Sequence, residues 1–413
     1  MKLKYMYYRI RQFCFSAFMY LAPLRDSKVI SGAGSIYKIP KLVKDEGLKK
    51  ILVVTTPGFI RRGSLERFFD SLASAGLSYA VFSEVQPDPT TECIEEAVAL
   101  YQKEGCEGIV AIGGGSVIDC AKALGARIAR PNKTIPQMAG LLKVRKRIPN
   151  IYAVPTTAGT GSEATAGAVI TNASDHYKFT VLDLCLVPRY AILDAELTCG
   201  LPASITSVTG MDALTHAVEA YTNCFCSPKA KKYALDAVKL VYENLLMAYE
   251  NGSNIEAREN MLLASYYAGV AINSNFIGYV HAIAHGVGGL YGVTHGMANS
   301  IIMPYVLEAF GETSHKKLAD LAMLVGCGNK NASRSENAKA FIASIRELNV
   351  KMNIPDKVQE LKEADFDTLA QRAVKEGNPT YPVPVIWEKE EFIEVLKSLL
   401  YEHLKFDVGK MKK

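Results

Sequence analysis

Short apolar, β-branched runs alternate with helical patterns only as far as Leu193, and this break constrains the fold of the 413-residue chain more than any other feature. The runs Ile51–Thr55, Tyr79–Phe82, Gly108–Ile112 and Ile151–Val154 are almost unbroken in apolar residues, as in strands buried on both faces. Between them, Thr91–Glu104 and Val117–Ala129 repeat apolar residues at the helical period. Strands alternating with helices predict a parallel sheet with helices on both faces, and such sheets bind ligands beyond the carboxyl ends of their strands. After about Leu201 the strand signals stop, with Pro202 and Ser204 at the change. Helical patterns then cover Ser207–Tyr221, Pro228–Tyr249, Ile255–Ile272, His315–Val325, Ser335–Leu348 and Lys389–His403. The expectation is an amphipathic helical extension over 1–25, an α/β domain over 26–200 and an all-helical domain over 201–413.

Net charge is +5, from 47 basic and 42 acidic residues, and the excess is not gathered into a stripe, so nucleic-acid binding is not expected. The one basic cluster, Lys143–Arg147, reads as a solvated loop. Nine cysteines, an odd number without a Cys-x-x-Cys pair, fit reduced thiols in a cytoplasmic protein. At the N-terminus Lys2, Lys4, Arg9 and Arg11 precede an uncharged run from Phe13 to Leu24. That run is too short to cross a bilayer, which takes about 20 residues, and Pro23 sits where a signal peptide would have to be cleaved. Tyr5, Tyr8, Phe15 and Phe18 instead suggest an amphipathic helix packed on the body or on a neighbouring subunit, with a membrane-surface anchor as the alternative.

Two loops follow predicted strands. Gly113-Gly-Gly-Ser116 leads from Gly108–Ile112 into a helix, where backbone N–H groups and the positive helix end suit an anion. Asp119 falls on the first turn of that helix, as a partner of its dipole or a brace for the loop. The second loop, Pro155-Thr-Thr-Ala-Gly-Thr-Gly-Ser-Glu163, is rich in hydroxyls and glycines that can bond a ribose, a phosphate or a carboxamide. Glycine-rich turns also serve steric purposes alone, so the case rests on two such loops at equivalent places in one sheet.

The second half holds four of the seven histidines in two short stretches. Asp212 and His216 stand four apart, as do His281 and His285, and His295 follows ten residues later beside Gly292 and Gly296. Residues four apart share a helix face, so two helices and a turn can bring these five side chains together. One carboxylate with two or three imidazoles suits Fe(II), Zn(II), Mn(II), Co(II) or Ni(II). Ala282 occupies the place of the catalytic Glu of a zinc protease, which excludes that reading. The neighbours Val280, Ala282, Ile283, Ala284 and Val287 are apolar or small, so the histidines are expected to be buried. His176, His315 and His403 lie in polar contexts and are expected at the surface.

Together Gly113–Lys122, Pro155–Glu163, Gly210–Ala220 and His281–His285 with His295–Asn299 closely resemble the iron-containing (group III) alcohol dehydrogenases. The resemblance runs from about Asp26 to the C-terminus. It implies a parallel-sheet dinucleotide-binding domain and a helical metal- and substrate-binding domain, in a dehydroquinate synthase-like architecture. It also implies that Asp212, His216, His281 and His295 hold the metal, Fe²⁺ with Zn²⁺ as the alternative, and that His285 stands near the nicotinamide and the substrate oxygen as the catalytic residue. Gly114, Gly115 and Ser116 match the pyrophosphate loop, with Asp119 just beyond. Thr156, Thr157 and Thr160 match the hydroxyl loop, and Lys178 matches a cofactor-contacting lysine. Thr56 stands where NAD-selective relatives place an Asp, which permits NADP(H) and tilts the expectation from NAD toward NADP. Asp88 replaces a common Asn near the adenosine, and Thr294 a frequent Pro before His295.

The implied reaction is reversible hydride transfer between a small aliphatic primary alcohol, or its aldehyde, and NAD(P)(H). Phe276, Ile277 and Val280 offer apolar contacts, and no Arg cluster for a dicarboxylate is evident. A polyol dehydrogenase, a maleylacetate-type reductase and, further off, a sugar-phosphate cyclase of the dehydroquinate synthase type share the fold. A catalytically idle assembly protein that docks through its N-terminal helix is the reading from another class, opposed by the complete metal set. A cytoplasmic homo-oligomer, dimer or larger, with no transmembrane segment, is expected.

Overall fold

A computed structural model describes residues 3–21, 25–172 and 178–401. Six strands, β1 (Lys28–Ser31), β2 (Lys50–Val54), β3 (Ser78–Phe82), β4 (Gly108–Gly113), β6 (Asn150–Pro155) and β9 (Tyr190–Leu193), form one sheet in the order β1-β9-β6-β4-β2-β3. Every pairing in it is parallel. The four predicted strands are β2, β3, β4 and β6, and they lie side by side. Strands β5 (Gly140–Leu141), β7 (Gly167–Thr171) and β8 (Lys178–Leu182) make a small second sheet, in which β7 and β8 run antiparallel.

Alternation of side chains across the pleat divides the core in two. Leu52, Val54, Ile109, Ala111, Ile151 and Ala153 pack on one face with α5 (Thr91–Lys103) and α6 (Gly115–Ala129). Ile51, Val53, Val110, Ile112, Tyr152 and Val154 face the other way, toward α2 (Ile39–Asp45) and α4 (Glu66–Ser74). Burial on both faces explains the unbroken apolar runs, each large aliphatic side chain contributing roughly 1.5–3 kcal/mol. Register then aligns the strand ends: Gly113 of β4 pairs with Pro155 of β6, and Val54 of β2 pairs with Ala111. The loops that follow β2, where Thr56 caps α3 (Pro57–Arg61), β4 and β6 therefore open on the same side of the sheet.

The chain then becomes helical: α7 (Ala203–Thr222), α8 (Pro228–Glu250), α9 (Ile255–Asn275), α10 (Tyr279–Tyr291), α11 (His295–Ala309), α12 (Glu312–Val325), α13 (Arg334–Lys351), α14 (Phe366–Gly377) and α15 (Lys389–Leu399). Caps set several starts. The side chains of Ser227, Asn254 and Ser333 each accept a backbone N–H from the first turn that follows. Helix α7 is buried continuously from Gly210 to Thr222, so polar groups on it must find partners inside the protein. A smaller apolar cluster of Ala164, Leu193, Leu262, Tyr266 and Val270 joins the helices to the sheet. The protein is thus a parallel-sheet N-terminal domain followed by a largely helical C-terminal one.

Helix α1 (Leu3–Leu21) packs on the body, in part against α9. Its inner face holds Tyr5, Tyr8, Arg9, Gln12, Phe15, Ser16 and Met19, of which Gln12 and Met19 are fully buried. Phe18 is 44% exposed and lies off that face. Among the described residues no helix is long and apolar enough to cross a membrane.

Candidate active site

Three helices deliver the candidate metal-ligating set. Asp212 and His216 lie one turn apart on α7, His281 and His285 one turn apart on α10, and His295 is the first residue of α11 after its cap Thr294. Close packing permits this convergence: a Cβ on Gly296 would collide with the backbone carbonyl of Val208 on α7. One donor atom from each of Asp212, His216, His281 and His295 lies within 4.8 Å of the others. Asp212 Oδ1 is 3.4 Å from His295 Nε2 and 3.8 Å from His281 Nε2. A first-row divalent ion binds N and O ligands at roughly 2.0–2.2 Å, which spaces adjacent ligands roughly 3–3.5 Å apart. The set fits such an ion in chemistry, and its spacings of 3.4 and 3.8 Å are at or slightly wider than those a bound ion would impose. Among the described residues, His216 Nδ1 is buried without a hydrogen-bond partner.

Electrostatics keep these imidazoles ready as ligands. Burial holds His281 well below its usual range, and the neighbouring histidines add to the effect. His295 keeps 39% of its side chain exposed, yet the protein around it displaces enough water to press it down to about 4, against the pull of Asp212. Neutral imidazole is the ligating form.

A supporting layer orients the ligands. Glu219, one further turn along α7, accepts His281 Nδ1–H at 2.6 Å and the N–H groups of Gly278 and Val280 at 2.7 Å each. Burial pushes its carboxyl up to about 8, while those donors pull the other way. Asn299, one turn after His295, donates from Nδ2 to Asp212 Oδ1 at 2.8 Å. His285 is held differently: its Nδ1 lies 2.7 Å from Glu376 Oε1 on α14, which also accepts the Tyr381 hydroxyl at 2.9 Å. Desolvation lowers the His285 pKa, but the Glu376 carboxylate outweighs it and the net shift is upward. With Nδ1–H committed to Glu376, Nε2 is the nitrogen left to face a reactant.

The two predicted loops meet beside this cluster. Gly114 caps α6 and Gly115 opens it, and a Cβ on Gly115 would stand 2.7 Å from Thr160 Cγ2, so only glycine lets the loops touch. Thr156 N–H bonds the Gly113 carbonyl at 3.0 Å, and Thr157 lies against Gly114. Helix N-terminus, bare glycine backbone and hydroxyls form a donor set suited to a pyrophosphate. Asp119 serves as a brace: its oxygens accept from Ser162 Oγ at 2.6 Å and Val169 N at 3.0 Å. Asp88 pairs with Lys178 at 2.8 Å, and its N–H reaches Ser116 Oγ at 3.3 Å, which brings three predicted cofactor residues to one edge. Lys178 is also near enough to His285 and His295 to depress both electrostatically.

Several expectations need adjustment. Val280 is fully buried and belongs to the core, so it offers no substrate contact. His315 is half-buried on α12, while His176 and His403 lie outside the described residues. Glu219, Asn299, Glu376 and Tyr381 were not singled out from the sequence. Two carried a signal: Glu219 continues the Asp212, His216 face at i+7, and Asn299 repeats the i+4 step from His295. Nothing local marks Glu376, which is 91 residues from His285.

Known proteins resemble the chain over most of its length. The family described as iron-containing alcohol dehydrogenase matches residues 26–195, and its C-terminal counterpart matches 206–400. The chain is 40% identical over 336 residues to a 1,3-propanediol dehydrogenase of Klebsiella pneumoniae, covering 80% of this chain and 87% of that protein. An NAD-dependent methanol dehydrogenase of Bacillus methanolicus is 37% identical over 373 residues, 90% of this chain and 97% of the relative. A crystal structure of a 1,3-propanediol oxidoreductase superposes with a TM-score of 0.88 at 34% identity, covering 92% of this chain and 100% of the other.

Proposed function

Because the chain belongs to the iron-containing alcohol dehydrogenase family, we propose that Asp212, His216, His281 and His295 hold its metal and that His285 is its catalytic residue. The protein is an NAD(P)-dependent alcohol dehydrogenase and aldehyde reductase acting on small alcohols. The observation that carries the residue assignment is the convergence of four ligand atoms within 4.8 Å, beside two loops built for a dinucleotide. When bound, the metal supplies Lewis acidity toward the substrate oxygen, and the nicotinamide exchanges the hydride.

The protein's own groups do the rest. Glu219 and Asn299 fix the ligands and their tautomers. Glu376 holds the Nδ1 proton of His285, so that Nε2 takes the alcohol proton or returns it to the aldehyde oxygen. Gly114, Gly115 and Ser116 cradle the pyrophosphate, and Thr156, Thr157 and Thr160 offer hydroxyls to the ribose and nicotinamide side. Asp88 and Lys178 close the near edge as an ion pair, and Asp119 keeps the loops in register. Residues 26–200 and 201–413 are the two working domains, with 1–25 as an extension. Fe²⁺ is the metal we assign, with Zn²⁺ able to substitute.

NADP(H) is favoured over NAD(H), because Thr56 caps a helix beyond β2 where a carboxylate would repel a 2′-phosphate. The expected result for Thr56→Asp is a rise of about tenfold in KM for NADPH, about 1.4 kcal/mol, with KM for NADH unchanged or lower. Equal KM values for both nucleotides in the parent, unmoved by Thr56→Asp, would overturn the preference. The substrate class is short primary alcohols and aldehydes. We also assign a cytoplasmic location, in keeping with nine free thiols, to be checked by cell fractionation. A homo-oligomer is expected because α1 leaves Leu3, Tyr7 and Ile10 more than half exposed; sedimentation at the monomer mass would contradict it.

A further inference from the structure

Helix α1 precedes both family-matched spans, the first of which begins at residue 26. Two of its polar side chains nevertheless point at one internal segment, Pro379–Pro384. Arg9 Nη1 donates to Val383 O at 2.7 Å and Nη2 to Pro384 O at 2.8 Å. Gln12, only 1% exposed, donates from Nε2 to Tyr381 O at 2.8 Å and to Pro379 O at 3.2 Å. Its Oε1 takes a third proton of Arg9 at 3.0 Å, which locks the two side chains together. Ring contacts flank this centre, Phe13 on Phe225 and Phe15 on Phe276, and Lys4 pairs with Glu388 at 2.8 Å.

The segment needs outside donors. Pro379, Pro382 and Pro384 leave it short of N–H groups, so it cannot satisfy its carbonyls through regular structure. Arg9 and Gln12 supply four donations to it. Between those carbonyls stands Tyr381, whose hydroxyl bonds the same Glu376 oxygen that holds His285 Nδ1. A continuous chain of bonds therefore runs from Gln12 through the Tyr381 backbone and ring to Glu376 and His285.

We propose that α1 is a positioning element of the active site: Arg9 and Gln12 fix Pro379–Pro384 so that Tyr381 and Glu376 hold His285 in its working orientation. The inference rests on the role assigned to His285 above. It makes the extension part of the catalytic architecture, where docking alone would leave turnover untouched. A merely stabilising helix would alter unfolding without a selective effect on kcat.

The test uses the full-length, metal-loaded enzyme with Gln12→Leu, Arg9→Met, Arg9→Lys, Tyr381→Phe and the double variant Gln12→Leu/Tyr381→Phe, beside His285→Ala. We expect Gln12→Leu and Arg9→Met to lower kcat about tenfold with little change in cofactor KM, since misplacing a reacting group by a fraction of an ångström is costly. Arg9→Lys, which keeps the charge and a donor nitrogen but not the two-pronged fork, should recover part of the loss. The double variant should be no slower than the slower single, because both act through one path. Hydrogen exchange of the 376–386 segment, read without turnover, should quicken in Gln12→Leu. A kcat unchanged in His285→Ala overturns the role of His285 itself. If His285→Ala is slow while Gln12→Leu and Arg9→Met keep parental kcat, or if the Gln12 and Tyr381 effects multiply, the positioning role is wrong. Should Gln12→Leu fail to fold, the Arg9→Met and Arg9→Lys pair decides by the same kcat criterion.

Discussion

Asp212→Ala is expected to leave a folded protein that retains no metal through dialysis and to lower kcat/KM for aldehyde reduction by about 10³ or more, about 4 kcal/mol of transition-state stabilisation. Asp212 is the only anionic member of the four-ligand set, and it is 2% exposed. Three neutral imidazoles would still face a dication, but without the carboxylate that offsets its charge. The fold should survive, since among the described residues Asp212 accepts a hydrogen bond from Asn299 alone, and removing a buried carboxylate from metal-free protein relieves desolvation. Metal content by elemental analysis, read beside kcat/KM, checks this. Stoichiometric metal in Asp212→Ala would show that the ion sits elsewhere.

Glu219→Leu should damage both the metal site and the fold. Leucine fills a similar volume but accepts nothing. The N–H groups of Gly278 and Val280 and the ring of His281 would be left unpaired where α9 turns into α10. Each buried unpaired donor costs roughly 1–3 kcal/mol, so a loss of about 3 kcal/mol or more in denaturant unfolding of the metal-free protein is expected. His281 would also lose the partner that fixes its tautomer, which typically weakens metal binding by about 10- to 100-fold. Parental metal affinity together with a parental unfolding midpoint would remove Glu219 from the site. A change in affinity alone would mean that the turn finds other acceptors.

What the sequence made legible was whatever repeats locally. The apolar runs of β2, β4 and β6 announce strands because both faces are covered, and the i, i+4 pairs at Asp212/His216 and His281/His285 announce helix faces. Strand β1 is short, exposed at every position but the half-buried Ile30, and lies at the sheet edge, so Lys28–Ser31 carries little pattern. Strand β9 is fully buried but only Tyr190–Leu193 long, too short to tell from a helical fragment. Helix α14 was not foreseen, and with it went Glu376, whose partner is brought to it only by tertiary packing. The inner face of α1 holds the expected Tyr5, Tyr8 and Phe15 but not Phe18, for a related reason. An apolar periodicity selects Phe18, whereas the buried centre is the amide of Gln12. Its partners, the carbonyls of Pro379 and Tyr381, lie 367 and 369 residues away.

The central claim is that the Asp212–His216–His281–His295 cluster makes this chain a metal-dependent NAD(P)(H) aldehyde reductase. Its most direct test is anaerobic reduction of a short aldehyde by metal-stripped protein before and after loading with Fe(II) or Zn(II), with NADPH and NADH in parallel. The expected result is no turnover in the stripped protein, turnover restored by the metal, and none in Asp212→Ala under either condition. Full turnover by the stripped protein, or none with any short aldehyde despite bound metal and nucleotide, would contradict it.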